Sequence, residues 1–175
     1  MEKIKAELKN YIRDIPDFPK PGILFRDITT LLKDKKAFKS AVDSLVAEYK
    51  DKKIDIVVAV EARGFILGGI VAHQLGAGFV PVRKPGKLPW KTNCATYELE
   101  YGTDTLQIHH DAIKPQDRVL IVDDLLATGG TVKAVTDLVR QLQGRIVGIA
   151  FLIELTGLEG REKLKDYPLF SLIKY

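Results

Sequence analysis

Two adjacent aspartates followed by a glycine-rich loop are the residues of this sequence best suited to chemistry. They stand in the string VLIVDDLLATGGTV, residues 119–132. The loop, residues 127–131, precedes an apolar pattern typical of a helix. Its backbone N–H groups would therefore point out of a helix N-terminus, where unpaired donors and the helix dipole attract an anion. Glycines also let the backbone come close to a phosphate, so the string predicts a phosphate-binding loop.

The aspartates suit a different part of the same ligand. Like charges repel, so Asp123 and Asp124 do not suit the phosphate, but two carboxylates can bind vicinal hydroxyl groups or a Mg²⁺ ion. The combination predicts a ribose phosphate site, whereas Asp-Asp alone would indicate only a strand end with a capped turn. The loop residues assigned to the phosphate are Ala127, Thr128, Gly129, Gly130 and Thr131. The string matches neither a Walker loop nor the dinucleotide-binding fingerprint.

The surrounding pattern predicts an α/β fold that positions these groups. Unbroken apolar, β-branched runs are typical of buried parallel strands, and here they occupy residues 54–60, 78–82, 119–122 and 146–153. Apolar residues at helical spacing predict helices over 2–13, 35–50, 65–75 and 131–142, the third of them capped by Gly76. Residues 97–109 alternate in polarity and predict an antiparallel hairpin that turns at Gly102-Thr103-Asp104.

The composition indicates one globular domain. The chain has 175 residues, of which 46% are hydrophobic and 29% charged, values ordinary for a soluble protein. No apolar run is long enough to cross a bilayer, and the charged N-terminus lacks the apolar core of a secretory signal. The single cysteine, Cys94, excludes an internal disulfide. We therefore expect a cytoplasmic protein. Its net charge of +4 suits a small anionic substrate, a nucleic acid or simply a solvated lysine-rich surface.

Several segments together resemble a known family. VLIVDDLLATGGTV is similar to the signature of the type I phosphoribosyltransferases. The segments DFPKPGILFRDITTLL, VEARGFILG, VPVRKPGKLPW, YELEYGTDTLQIHHDAI and FSLIKY resemble the adenine phosphoribosyltransferase family in particular, nearly from end to end. The resemblance implies a single phosphoribosyltransferase domain over residues 1–175. In this fold a central, mostly parallel sheet is flanked by helices, residues 1–34 form a small N-terminal hood that contributes to the base pocket, and a flexible hairpin or loop covers the site.

The family's reaction is implied in the same way. Its members convert adenine and 5-phosphoribosyl-1-pyrophosphate (PRPP) to AMP and pyrophosphate in purine salvage, with Mg²⁺, usually as homodimers. We expect neither a nucleic acid nor a membrane as a partner. The adenine would attack the anomeric carbon directly, through a transition state resembling an oxocarbenium ion, so no covalent enzyme intermediate is needed.

The resemblance also assigns residues to the pyrophosphate. The turn after the first run would hold it through a cis peptide at Glu61–Ala62 and through Arg63, which by sequence alone is an ordinary surface cation. The broken, basic segment RKPGKLPWK suits a mobile lid over a charged leaving group. Within it the resemblance selects Arg83, Lys84 and Lys87. Tyr101 would steady the loop or the substrate.

The remaining assignments concern the base. Glu100 is the family's acid near adenine, although Glu98 and Glu100 share one strand face and spacing cannot separate them. Leu24 would bind the ring through its backbone, Phe25 by stacking and Arg26 at its edge, with Leu125 on the opposite face. The residues expected to act in catalysis are Glu100, Arg63 and Arg83. Trp90 and Cys94, in a stretch that departs from the family pattern, have no assigned role.

Three alternatives stay open. One is a phosphoribosyltransferase for a 6-oxopurine or orotate, against which PGILFRDI and LEYGTD argue. Another is a PRPP-sensing regulator of transcription on the same fold, which would usually carry an added DNA-binding domain that this chain leaves no room for. The last is an inactive relative, against which the acidic pair, the glycine loop, Arg63 and Glu100 argue.

Overall fold

The computed structural model describes residues 7–98 and 102–175 of the chain. The chain divides into two compact units, Met1–Ser44 and Leu45–Tyr175. The α/β architecture expected from the sequence is confirmed, because the second unit is built on a parallel sheet flanked by helices.

The first unit holds a small antiparallel ribbon and the start of a long helix. Strand β1 (Arg13–Ile15) pairs with β2 (Phe25–Asp27), and helices α1 (Thr29–Lys33) and α2 (Lys35–Tyr49) follow. Oδ1 of Asp34 accepts hydrogen bonds of 2.9 Å from the N–H groups of Lys36 and Ala37, which fixes the start of α2. The helix expected over 2–13 is wrong at its C-terminal end, since pairing with β2 makes residue 13 a strand. Residues 1–6 of that prediction lie outside the described part of the chain.

The second unit contains the main sheet. Its strands, as described, are β3 (Ile56–Val60), β4 (Gly78–Val82), β7 (Arg118–Leu126), β8 (Arg145–Glu154) and β9 (Leu169–Lys174), in the spatial order β4-β3-β7-β8-β9. All four pairings are parallel. The four predicted apolar runs are confirmed as strands β3, β4, β7 and β8, although β3 begins at Ile56, two residues after the predicted start. Strand β9 was missed, because Ser171 interrupts its apolar run.

The two faces of this sheet pack against different helices. Helix α3 (Arg63–Leu75) lies over Val57 and Ala59, and helix α4 (Gly130–Gln141) packs its apolar face into the cluster that includes Val58 and Ile121. Alternate residues of a strand point to opposite faces, so β3 is buried on both sides. Helix α3 ends at Gly76, whose φ of 66° confirms the predicted cap.

An antiparallel hairpin lies beside the sheet. Strands β5 (Thr92–Glu98) and β6 (Thr103–His109) pair along their length. The expected hairpin is confirmed, but its predicted turn is wrong, because Thr103 and Asp104 belong to β6 and face Glu98 and Tyr97. The stretch WKTNCAT supplies most of β5. Its residues alternate between exposed and half-buried positions, as a strand with one covered face requires.

Two 3₁₀ segments, Thr156–Leu158 and Gly160–Leu164, connect β8 to β9. Among the described residues, none of the helices has both the length and the apolar character needed to cross a membrane.

Candidate active site

The strand order creates a cleft between β3 and β7. After β3 the chain moves outward to β4, whereas the strands after β7 build the sheet in the opposite direction. Ligands of open α/β sheets bind at the carboxyl ends of strands where the order reverses in this way. The turn at residues 61–62 and the start of helix α3 follow β3, and the loop at residues 127–131 follows β7. The two predicted binding segments are therefore brought to one edge of the sheet.

The adjacent aspartates lie within β7 rather than after it. The sequence predicts a strand end at Val122, but the ladder with β8 continues through Asp123, paired with Phe151, to Leu126, paired with Glu154. The two carboxylates interact with each other, and both meet the start of helix α3, with Asp123 beside Gly64 and Asp124 beside Arg63. Asp123 lines a cavity of about 80 Å³ together with Leu125 and residues of the glycine loop.

Burial dominates the electrostatics of this pair. Asp123 is 9% and Asp124 6% exposed. Burial, and next the neighbouring charge of Asp124, raises the pKa of Asp123 well above its ordinary value. Burial also raises the pKa of Asp124, although the Arg63 charge opposes this. The pair therefore favours partners that compensate negative charge, such as hydroxyl donors or a cation.

The glycine loop opens helix α4. The helix begins at Gly130, one residue before the expected Thr131, and Gly129 precedes it with a φ of 78°, which favours glycine. No described side chain caps this N-terminus, so its first N–H groups are available to a ligand. The loop residues from Ala127 to Gly129, with Thr131, line the same cavity as Asp123. A volume of this size suits one phosphate group.

The turn after β3 has the form expected from the family resemblance. The Glu61–Ala62 peptide is cis. Helix α3 starts directly after it at Arg63, again with no described side chain as a cap. Nε of Arg63 lies 2.8 Å from Oδ2 of Asp124. The predicted pyrophosphate cation and one predicted ribose acid thus form an ion pair across the cleft.

The basic segment after β4 is tied to this turn by Glu61. Oε2 of Glu61 accepts hydrogen bonds from Nε and Nη2 of Arg83 at 3.0 and 2.9 Å, and Oε1 accepts the N–H of Lys84 at 2.6 Å. Burial works to raise the pKa of Glu61, but the hydrogen bonds from Lys84 and Arg83 outweigh it and hold this pKa below its ordinary value. Glu61 is therefore a carboxylate that fastens the basic segment to the turn.

The next cation in the segment has a partner of its own. Nζ of Lys84 lies 2.9 Å from Oδ2 of Asp104 in β6. This hydrogen bond raises the pKa of Lys84 and lowers that of Asp104. Lys87 is exposed at the tip of the segment. Arg83 and Lys84 are therefore held by carboxylates that an anionic ligand would have to replace.

The residues assigned to the base are placed only in part. Glu100 and Tyr101 lie outside the described residues, while Glu98 is exposed at the end of β5. In the first unit, the ring of Phe25 packs edge-on against Phe18 with centroids 5.2 Å apart, and Nη1 of Arg26 donates to Asp14. Leu24 is exposed. These assignments stay predictions.

Sequence reasoning missed two glycines that shape the site. A Cβ at Gly64 would lie 2.7 Å from Oδ1 of Asp123, so helix α3 approaches that carboxylate only because residue 64 has no side chain. A Cβ at Gly160 would lie 2.1 Å from the carbonyl oxygen of Ala127. Both contacts join distant parts of the chain, and a single sequence carries no signal for them.

Known proteins resemble the chain over almost its whole length. Residues 29–174 match the phosphoribosyl transferase domain family. The chain is 59% identical over 168 residues to an adenine phosphoribosyltransferase of Halothermothrix orenii, covering 96% of this chain and 99% of that protein. It is 56% identical to the crystal structure of adenine phosphoribosyltransferase from Thermoanaerobacter pseudethanolicus, with a TM-score of 0.95 and coverage of 97% and 99%. The enzyme from Saccharomyces cerevisiae, complexed with an imino-altritol bisphosphate and adenine, gives 41% identity, a TM-score of 0.92 and coverage of 98% and 99%.

Proposed function

The chain belongs to the adenine phosphoribosyltransferase family, and we propose that it transfers the 5-phosphoribosyl group of PRPP to adenine, giving AMP and pyrophosphate in purine salvage. The observation that carries this proposal is one cavity lined both by the buried Asp123 and by the glycine loop that opens the uncapped helix α4. Such a site offers donors to a phosphate and acceptors to the hydroxyl groups of an attached sugar.

The 5′-phosphate binds in the glycine loop. Backbone N–H groups of residues 128–131 donate to its oxygens, and the hydroxyl groups of Thr128 and Thr131 add further donors. Asp123 accepts from the ribose hydroxyls, which fixes the anomeric carbon relative to the base. Asp124 holds Arg63 in place and adds a second negative charge beside Asp123. This arrangement is supported by the shared lining of the cavity and by the ion pair.

The pyrophosphate binds at the N-terminus of α3. Arg63 and the uncapped helix end offer positive charge there, and Arg83, Lys84 and Lys87 approach from the basic segment. Pyrophosphate carries more charge than a carboxylate, so it can displace Glu61 from Arg83 and Asp104 from Lys84. The displaced segment then covers the leaving group and excludes water.

The site fits a Mg²⁺ ion held mainly by the substrate. Among the described residues no group of three or more His, Cys, Asp or Glu side chains could hold a metal alone, but Mg²⁺ commonly uses one or two carboxylates together with substrate phosphates. Asp123 and Asp124 are the residues that would hold it, and their buried, mutually repelling charges fit a cation. When bound, Mg²⁺ neutralises the departing pyrophosphate.

Adenine supplies the nucleophile. Its N9 forms the bond to the anomeric carbon as the bond to the pyrophosphate oxygen breaks, and the N9 proton leaves. We assign Glu100 to this proton or to one on the ring, and Leu24, Phe25 and Arg26 to the base, in each case from the family resemblance. Leu125, which lines the phosphate cavity, is assigned to the base in the same way.

A base-competition assay tests the function. Purified protein with PRPP and Mg²⁺ is given adenine, hypoxanthine, guanine or orotate in separate reactions, and nucleotide products are separated by chromatography. We expect AMP from adenine and at least about 100-fold less product from each other base, because buried polar groups left unpaired by the wrong base cost this much. A preference for hypoxanthine or orotate would overturn the substrate assignment. PRPP binding without product from any base would favour a sensor or an inactive relative.

We also propose a cytoplasmic homodimer. The single cysteine suits a reducing compartment. Phe79 on the sheet-edge strand β4 is 38% exposed and Ile66 on α3 is 42% exposed, and together they offer apolar surface for a second copy. Sedimentation equilibrium of the purified chain tests the dimer, and a mass near 19.5 kDa at micromolar concentration would contradict it.

A further inference from the structure

The phosphate loop rests directly on the backbone of the second 3₁₀ segment. A Cβ built at Gly160 would lie 2.1 Å from the carbonyl oxygen of Ala127 and 2.9 Å from the amide nitrogen of Gly129. In the other direction, a Cβ at Gly129 would lie 2.5 Å from the carbonyl oxygen of Gly160. Backbone meets backbone here with no side chain between, so a shift of residue 160 moves the loop.

An ion pair next to this contact fixes the 3₁₀ segment to the sheet. Arg161, the residue after Gly160, donates from Nε to Oε1 of Glu154 at 2.9 Å and from Nη2 to Oε2 at 2.7 Å. Its Nη1 also donates to the carbonyl oxygen of Leu169 at 3.4 Å. Two parallel hydrogen bonds between a guanidinium and a carboxylate define orientation as well as distance. The side chain of Arg161 is therefore held by residues of two strands, Glu154 of β8 and Leu169 of β9.

The carboxylate of this pair is part of the sheet edge that carries the loop. Glu154 is the last residue of β8 and lies in register with Leu126, the last residue of β7 and the one before Ala127. Its side chain is only 6% exposed. The hydrogen bonds from Arg161 hold the pKa of Glu154 below its ordinary value despite burial. Glu154 is therefore charged at neutral pH, and strands on both sides, β7 and β9, pair with it.

We propose that the Glu154–Arg161 ion pair positions the phosphate loop by holding Gly160 against Ala127 and Gly129, and so sets the affinity of the enzyme for the 5′-phosphate of PRPP and AMP. Neither residue is among those that line the phosphate cavity, so both are positioning residues. The inference rests on the proposed phosphate site. It predicts that loss of the pair weakens ligands that carry a 5′-phosphate and spares those that lack one.

The test compares Arg161→Gln with the wild-type enzyme and with Lys174→Gln. Nζ of Lys174 lies 3.9 Å from Oε2 of the same Glu154 carboxylate and its side chain is 57% exposed, so the control removes a cation from this carboxylate without touching the 3₁₀ segment. Isothermal titration measures AMP, ribose 5-phosphate and adenosine. Steady-state assays give kcat and KM for PRPP and adenine.

For Arg161→Gln we expect a rise of roughly tenfold in the KM for PRPP and in the Kd of AMP and ribose 5-phosphate, the lower end of the losses seen when a group that orients a binding residue is removed. The KM for adenine, the Kd of adenosine and kcat stay within about twofold. Lys174→Gln matches the wild type. Unchanged affinity for 5′-phosphate ligands in folded Arg161→Gln, or an equal loss for adenosine, would overturn the proposal.

A second variant covers the case in which Arg161→Gln does not fold. Arg161→Lys keeps the charge but loses the bidentate geometry, and we expect an intermediate rise in the same three constants. If it matches the wild type, the geometry of the pair does not position the loop and the proposal is wrong. Failure of the proposed function has a different signature, because then the wild-type enzyme itself would not prefer AMP to adenosine.

Discussion

Nε of Arg63 lies 2.8 Å from Oδ2 of Asp124, so the first residue of helix α3 is joined to the carboxyl-terminal part of strand β7 by an ion pair. The carboxylate is 8% exposed and the guanidinium 36%. The acid therefore depends on this partner more than the arginine depends on the acid, and the two residues form one unit of the site.

Arg63→Gln should lower both stability and activity. Adding Asp124→Asn should restore the stability but not the activity. Removing Arg63 leaves the Asp124 carboxylate buried without its cation, for which we expect a loss of about 1–3 kcal/mol in the free energy of unfolding. The double variant Arg63→Gln/Asp124→Asn should regain most of it. Denaturant unfolding of the two single variants and the double variant measures the coupling.

The activity of these variants should follow a different order. Arg63 is assigned to pyrophosphate, so kcat/KM for PRPP should stay about 100-fold low in the double variant even where stability returns. Full recovery of activity in the double variant would show that Arg63 serves only to neutralise Asp124.

Asp123→Asn should inactivate the enzyme and stabilise it at high pH. We expect kcat/KM for PRPP to fall about 100-fold, because the ribose loses a charged acceptor. Burial raises the pKa of Asp123 above its ordinary 3.8. At pH values between 3.8 and the raised pKa of folded Asp123, the folded protein keeps a proton that the unfolded chain has released. The free energy of unfolding therefore falls as pH rises through this range.

The Asp123→Asn variant has no carboxyl group at this position, so its free energy of unfolding does not fall with pH for this reason. Its Tm should exceed that of the wild type at pH 8, and the difference should shrink as pH approaches 4, as calorimetry at several pH values can show. Asp137→Asn is a matched control, since Asp137 is 44% exposed on α4 and pairs with Lys133. A Tm difference independent of pH would contradict the raised pKa.

Two glycines of helix α3 should respond oppositely to alanine. A Cβ at Gly64 would lie 2.7 Å from Oδ1 of Asp123, so we expect Gly64→Ala to cost about 1–3 kcal/mol in stability and to displace that carboxylate. Nothing lies within 4 Å of a Cβ at Gly69. Gly69→Ala should therefore stabilise the protein by about 0.5–1 kcal/mol, as alanine does inside a helix.

Chemical denaturation and the KM for PRPP measure both variants. Activity should fall in Gly64→Ala alone. Equal behaviour of the two variants would mean that the close approach of α3 to Asp123 has no part in the site.

Variants of Glu100 and Glu98 test the role that the family resemblance assigns to Glu100, because the charge pattern of the sequence does not distinguish the two residues. If Glu100 handles a proton of adenine, Glu100→Gln should lower kcat by about 10²–10⁴-fold with little change in the KM for PRPP. Glu98 is exposed at the end of β5, and Glu98→Gln should keep kcat within about twofold. The pH profile of kcat should change only in the first variant, and equal effects would remove the special role of Glu100.

The sequence predicted the parts of the site that are local and missed those that are distant. The position of the glycine loop between a strand and a helix could be predicted because its glycines, the apolar run before it and the start of the helix after it lie within the 14 residues from Val119 to Val132. The end of β7 was placed too early, because two charged residues break an apolar run even where a strand continues through them. The pairing of Asp123 with Phe151 overrides that local signal.

The other differences have a similar cause. The hairpin turn was placed on Gly102-Thr103-Asp104 because this composition is typical of turns, yet cross-strand pairing with Glu98 and Tyr97 draws the last two residues into β6. The contacts of Glu61 with Arg83 and of Glu154 with Arg161 join residues from different elements. Charge alone does not say which of several acids a given arginine will meet.

The contact between Gly160 and the phosphate loop bears on how the chain acquires its activity during synthesis. A nascent chain that has emerged as far as Gln141 already carries the whole loop, both aspartates and every cation assigned to pyrophosphate. It still lacks β8, β9 and the backbone of residue 160 on which the loop rests. The last fifth of the chain supplies none of the groups assigned to the substrate, but the loop needs the backbone of that part as support. We therefore expect the chain to bind its substrate only late in its synthesis.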